Sequence, residues 1–321
     1  MTMTVGIDIS KDWLDVGCFP EAPGTRFPNT GRGHAALIAW LEGLGASAEG
    51  APPADAPRVV FEATGAYHRA LVGALERAGL PYCKVNPRQA RRFAQAAGQR
   101  AKTDRIDAAM LARMGQVLEL EPQAPRGETQ SDLNALSSGR RSLVRHRTAL
   151  LAQLQTAAHA LVRHQIERRL AAVEADIAEL DAALAALVRA DAGLRAREAI
   201  LVSIPGLAAT SATTILAEMP ELGGMDGKQA AALAGVAPLT RSSGQWRGRA
   251  FIGGGRADLR RALYMPALVA ARFNPDMRAV YERLLAAGKP KKLALVAVMR
   301  KLVVLANALL RDGRKWTPHA A

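Results

Sequence analysis

The chain has 321 residues, 49% hydrophobic and 22% charged, which is the composition of a folded globular protein long enough for two or three compact units. Its formal net charge of +14 points to a polyanionic partner, because each phosphate neutralised by a cation releases condensed counterions. No apolar run looks long enough to span a bilayer and no signal peptide opens the chain, so nucleic acid is expected rather than membrane, in a cytoplasmic, nucleoid-associated setting.

Taken in order, Thr4 to Ile9 reads as a strand, Trp13 to Phe19 as a second, and Thr25 to Pro28 as a short third that completes a meander. Leu37, Ile38, Leu41 and Leu44 mark one face of a helix over 34–44. A strand over 58–63, a helix over 67–78 stopped by Gly79, a strand over 80–85 and helices around 89–97 and 105–118 follow. A meander followed by strand–helix alternation matches the mixed α/β sheet of ribonuclease-H-like domains.

The texture changes near Pro122. No proline occurs between Pro125 and Pro205, and Leu170, Val173, Ile177, Leu180, Leu184 and Leu187 recur by threes and fours as a heptad seam. Leu143, Leu150, Leu154 and Leu161 form a noisier one upstream. Two long helices are expected, paired within the chain or between subunits. From Gly193 shorter helices with glycine and proline punctuation are expected. Ile204-Pro-Gly206 falls in a turn that would either offer backbone N–H groups to a phosphate or simply join two packed helices. The expected domains are thus 1–122, mixed α/β; 123–192, a helical coiled-coil region; and 193–321, mainly helical.

Cys18 and Cys83 stand alone in apolar strands and read as buried free thiols, and the six histidines form no zinc pattern. The acids are more informative. Asp8 interrupts an apolar strand, where a carboxylate must face solvent or bind something. Glu62 ends a strand, and Asp104 and Asp107, three apart behind a capping Thr103, share one helical face. Singly, each is most simply a surface or helix-N-terminal acid. As a set in a basic domain, four hard oxygen ligands suit Mg²⁺ or Mn²⁺ and phosphoryl transfer.

A second constellation surrounds Ser243, preceding Gly244, with Arg241, Arg247, Arg249, Arg256, Arg260 and Arg261 nearby in sequence. Guanidinium groups there would hold a phosphate, while Ser243 would need a base or metal from elsewhere in the fold. Further cations expected along a nucleic-acid path are Lys84, Arg88, Arg91, Arg92 and Lys102, then Arg140, Arg141, Arg145 and Arg147, and finally Lys289, Lys291 and Lys292. With aromatics at only 4%, contact mainly through phosphates is expected.

Gly6-Ile-Asp8-Ile-Ser, Phe61-Glu62-Ala-Thr-Gly65, Lys102-Thr-Asp104-Arg-Ile-Asp107-Ala and Ile204-Pro-Gly206 occur in that order. Gly235-Val-Ala-Pro238 leading to Ser242-Ser243-Gly244, Leu259-Arg-Arg-Ala-Leu-Tyr264 and Gly288-Lys-Pro-Lys-Lys-Leu-Ala294 complete the series. This ordered set resembles the insertion-sequence transposases that join a RuvC-like Asp-Glu-Asp-Asp domain to a serine-bearing domain, the bridge-RNA-guided recombinases. The resemblance implies Mg²⁺ (or Mn²⁺) on Asp8, Glu62, Asp104 and Asp107, and a serine that forms a transient phosphoserine link to DNA. Ser243 takes that role, with Ser242 the alternative. It also implies a homo-oligomer, a structured guide RNA, and DNA partners at element ends and target. The rival readings are a metal-dependent junction resolvase or nuclease with a structural serine, and a non-catalytic nucleic-acid-binding protein.

Overall fold

A computed structural model describes residues 3–20, 24–46, 57–63, 65, 67–99, 103–122, 127–244, 246–248 and 250–318. The chain divides into two compact units, Met1–Gly127 and Glu128–Ala321.

The first unit is built on five strands: β1 (Thr4–Ile9), β2 (Trp13–Phe19), β3 (Thr25–Pro28), β4 (Arg58–Glu62) and β5 (Tyr82–Val85). Their order in the sheet is β3-β2-β1-β4-β5. The first three run antiparallel, and β4 and β5 run parallel to β1. This mixed α/β sheet fits a ribonuclease-H-like domain.

Side chains alternate across a strand, so each strand feeds two different layers. Val5, Ile7 and Ile9 of β1, with Leu14, Val16, Val59 and Phe61, form one core. It is closed by Leu37 and Leu41 of α1 (Gly31–Ala46) and by Leu71 and Leu75 of α2 (His68–Arg77). The opposite face carries Gly6 and Asp8 on β1, and across from them Gly17 and Asp15 on β2. Against it lies α4 (Asp104–Val117), preceded by α3 (Pro87–Ala96). Thr103 caps α4 by accepting from the Ile106 N–H at 3.3 Å.

The approach of α4 is unusually close. A Cβ on Gly6 would stand 2.0 Å from the Ala108 carbonyl oxygen, and one on Gly17 2.6 Å from the Ala109 nitrogen. Gly115 returns the fit from the helix side, where a Cβ would meet Val60 Cγ2 at 2.6 Å. Three glycines and the small Ala108 and Ala112 thus let helix backbone rest on strand backbone. Buried Leu111 and Met114 pack beside this seam on Val60, Cys83 and Val85. Cys18 and Cys83 are buried free thiols, and burial pushes the Cys83 thiol up to about 11.

The second unit opens with two long helices, α5 (Glu128–Thr156) and α6 (Ala160–Ala190), which turn back on each other. Leu150, Ile166, Val173 and Ile177 are buried between them, and Arg140 pairs with Asp181 farther from the turn. Leu161, expected in the upstream seam, is 59% exposed, because α5 stops at Thr156 and Leu161 starts the second helix facing out.

Next come α7 (Ala192–Val202), α8 (Ala209–Glu218) and α9 (Gly227–Leu233). Four two-residue strands follow: β6 (Pro238–Leu239), β7 (Ser242–Ser243), β8 (Trp246–Arg247) and β9 (Phe251–Ile252). The chain then completes α10 (Ala257–Ala262), α11 (Tyr264–Phe273), α12 (Pro275–Ala286) and α13 (Lys291–Arg311). Gly206, in the turn between α7 and α8, has φ +112° and sits so close to α11 that a Cβ would meet Ala270 at 2.7 Å. That turn's glycine is used for helix packing. By length and composition α13 is apolar enough to cross a membrane, contrary to the expectation that no run reaches that length. Its apolar character has a packing cause: Ala294, Leu295, Val298, Met299, Leu302, Val303, Ala306 and Leu309 are buried in the helical core.

The glycine seam makes a sharp test. Gly6→Ala should cost about 3 kcal/mol in urea denaturation, as overpacking does when backbone cannot give. Gly73→Ala in α2, where a Cβ meets nothing within 4 Å, should instead stabilise by about 1 kcal/mol. Equal behaviour of the two variants would refute the packing described for α4.

Candidate active site

The α4 seam positions the acids. Asp8 follows Gly6 on the same face of β1, and the first turn of α4 carries Asp104 and Asp107. Glu62 ends β4, the parallel neighbour of β1. All four acids line one cleft of about 930 Å³, at the end of the sheet where the parallel strands finish and where α/β sheets commonly bind ligands. Arg88 and Arg91 of α3 line the same cleft. Asn86 caps α3, accepting from the Arg88 N–H at 2.9 Å. Arg92 instead borders a smaller depression of about 450 Å³ with Lys84, beyond β5.

Gathering acids has an electrostatic cost. The Asp8 carboxyl is pushed up from 3.8 to about 6, first by its burial and then by Asp104, Asp107, Glu62 and Asp15. A divalent cation would relieve this repulsion, and a set of carboxylate oxygens is the donor chemistry that Mg²⁺ or Mn²⁺ takes. The set therefore fits such an ion in kind. Among the described residues no three His, Cys, Asp or Glu side chains form a ready-made metal site.

Two neighbours of the cleft escape a reading for acid motifs. Asp15, directly across from Asp8, is 2% exposed, and Arg26 of β3 binds both its oxygens at 2.8 and 3.0 Å. The same guanidinium reaches Asp104 Oδ2 at 3.8 Å. A like charge opposite Asp8 is tolerated because this fork neutralises it. Asp15 breaks the apolar run of β2 as Asp8 breaks that of β1, which was the available signal. Arg26 becomes its partner only through strand register.

In the second unit, Ser243 lies on the hairpin of β7 and β8, facing Trp246, with Gly244 at φ +55° in the turn. Ser242 and Ser243 are both exposed. Residues 236–256 contain no histidine or acid, so the hairpin brings no base of its own.

The arginines near Ser243 in sequence have separate duties. The Arg241 guanidinium sits 4.8 Å from the Phe251 ring centroid. Arg256 forks onto Glu221 at 2.7 and 2.8 Å. Arg260 donates to the Gly254 and Gly235 carbonyls at 2.9 and 3.3 Å, and Arg261 pairs with Asp258 at 2.8 Å. Lys102, Arg249 and the Arg247 side chain lie outside the described residues. Lys291 and Lys292 are exposed at the start of α13.

Along most of its length the chain is similar to proteins that rearrange DNA. A family described as "Transposase", of the IS110 DEDD type, matches residues 5–162, and the "Transposase IS116/IS110/IS902 family" matches residues 198–282. The pilin gene-inverting protein of Moraxella bovis is 30% identical over 241 residues, covering 72% of this chain and 73% of that protein. The insertion element IS110 43.6 kDa protein of Streptomyces coelicolor is 34% identical over 118 residues, covering 36% of this chain and 29% of that protein. The chain belongs to the IS110 family of transposases.

The raised Asp8 carboxyl gives a pH signature. Folding favours its protonated form, so the stability linked to Asp8 is present below about pH 4 and is lost as pH rises through about 6. In chelator, Asp8→Asn should therefore stabilise the protein at neutral pH by about 1 kcal/mol, a discounted figure because the carboxyl is only half-buried. Below about pH 4 it should have no effect. A gain that is independent of pH in urea titrations would contradict this reading of the acids.

Proposed function

We propose that this transposase cuts and rejoins DNA at the ends of an insertion element and at its target, with Asp8, Glu62, Asp104 and Asp107 holding Mg²⁺ or Mn²⁺ and Ser243 as nucleophile. The single observation that carries this reading is the gathering of the four acids in one cleft beside Arg88 and Arg91. When bound, the metal supplies charge neutralisation and activation of the oxygens at the phosphodiester.

This chain's own residues would do the rest. Arg88 and Arg91 draw the DNA phosphates toward the acids. The Ser243 oxygen attacks phosphorus and loses its proton, the bond to the leaving DNA oxygen breaks, and a phosphoserine link forms. A DNA hydroxyl then attacks that link, reforms a phosphodiester and returns the serine. Because residues 236–256 hold no base, the proton acceptor must come from elsewhere. The acid cleft of another subunit is the source we propose, within a homo-oligomer whose paired long helices α5 and α6 act as a coiled-coil insert between the acid domain and the serine-bearing helical domain. A structured guide RNA, which the family resemblance implies, would choose the DNA sequences, and the excess of positive charge suits both nucleic acids.

Likeness to the pilin gene-inverting protein favours a second outcome of the same chemistry, inversion of a DNA segment, which also exchanges strands by cutting and rejoining.

Strand-transfer assays on element-end DNA in Mg²⁺ test the scheme. Asp104→Asn and Ser243→Ala should each lower joining by about 1000-fold or more, as removal of a nucleophile or its activation does. Ser242→Ala should retain it. A covalent protein–DNA adduct should form with the wild type and not with Ser243→Ala. Cutting by Ser243→Ala at the wild-type rate, with no covalent adduct, would take the serine out of the chemistry and favour water attack, as in a resolvase.

A further inference from the structure

Trp13 is 44% exposed, although an indole is among the side chains that gain most from burial. It begins β2 two residues before Asp15, so both project on the Asp8 face of the sheet. The Arg26 guanidinium lies 5.5 Å from the indole centroid. That guanidinium cannot swing freely, because it is forked onto the buried Asp15 carboxylate, and it stands 3.8 Å from Asp104 at the acid cleft. One aromatic side chain is thus held by a cation that reaches the cleft-lining Asp104, with much of the indole surface open to water. Exposure alone is ordinary here, since Phe273 is 63% exposed beside Arg272; what sets Trp13 apart is that its cation also reaches the acid cleft. In a chain with aromatics at 4% and a net charge of +14, an indole braced beside catalytic carboxylates is suited to one kind of ligand. That ligand is a base of a polyanionic strand, which offers a flat π-face between phosphates.

We propose that Trp13, braced by Arg26, is a nucleobase platform: an unpaired base of the DNA strand being processed stacks on the indole, and its flanking phosphates run toward Arg88 and Arg91. The proposal rests on the acid cleft being where DNA is handled, and it adds a binding residue that the four acids do not include. Stacking requires an unpaired base, because in a duplex both faces of each base are covered by neighbours. The platform therefore favours melted or single-stranded DNA next to the reacting phosphate.

The test uses the full-length protein in chelator, so that binding is read without cleavage. The probes are a mixed-sequence single-stranded DNA carrying 5-iodouracil and the fully paired duplex of the same sequence. Trp13→Ala should weaken single-strand binding by about tenfold or more, leave duplex binding within about twofold, and be largely rescued by Trp13→Phe. Irradiation should attach the iodouracil strand to the peptide containing Trp13, apart from those containing Trp40, Trp246 and Trp316. Equal loss on both DNAs, no loss on either, or an adduct that avoids the Trp13 peptide would overturn the proposal; thermal melts of Trp13→Ala and Trp13→Phe separate a folding defect from a binding one. Asp104→Asn, assayed alongside in Mg²⁺, keeps the two ideas apart. If it joins DNA normally the metal reading fails, whereas the binding result for Trp13 is decided independently.

Discussion

The contact between α4 and the sheet underlies everything the first unit offers chemically. Gly6 and Gly17 remove side chains where the helix crosses two adjacent strands, and Gly115 removes one from the helix. Only at that spacing does the first turn of α4 place Asp104 and Asp107 at the cleft that Asp8 and Glu62 line. The seam does more than fill a core: it fixes the height of two carboxylates above two others. A helix held off by one methyl layer would leave two pairs of ordinary surface acids.

Repulsion among these acids is tolerated because part of it is neutralised beside the seam. Asp8 is partly buried among four other acids, and its carboxyl is displaced to about 6, first by burial and then by their charge. The buried Asp15 would make this worse, yet Arg26 forks onto it from the next strand. The protein thereby leaves negative charge concentrated in the cleft and cancels it one strand away. Strain of this kind is expected at a functional site, where the folded state gives up stability for a placement that the chemistry needs.

Much of the sheet was legible from the residues. Alternation in Thr4–Ile9 and Trp13–Phe19, and the short apolar runs before Glu62 and Val85, marked strands within a residue or two of where they lie. Asp8 and Glu62 could be singled out because each interrupts or ends an apolar strand, and Asp104 and Asp107 because they stand three apart on one helical face. The Asp15–Arg26 fork and its link to Trp13 could not, since they depend on which residues face each other across strands. Leu161 misled for a related reason: its spacing continued a seam, but the helix broke at 157–159 and a new one began in a different rotation. The arginines after Ser243 cluster in sequence, but which groups they meet depends on the fold: Arg256 binds Glu221 and Arg260 binds backbone carbonyls.

Those carbonyls belong to Gly235 and Gly254, at the two ends of the segment that carries the serine hairpin. Arg260 ties both ends together, and Gly255 packs within 2.6 Å, by its missing Cβ, of the Ala232 carbonyl and Gly235 Cα. The loop is therefore closed at its base twice, by Arg260 of the helical body and by the pairing of β6 with β9 just inside it. Once a loop's mouth is fixed, each doubling of its length adds only about 0.6 kcal/mol of closure entropy. The serine-bearing stretch is in effect a removable cassette: evolution or an engineer can lengthen, shorten or transplant it between relatives while the surrounding helices stay as they are.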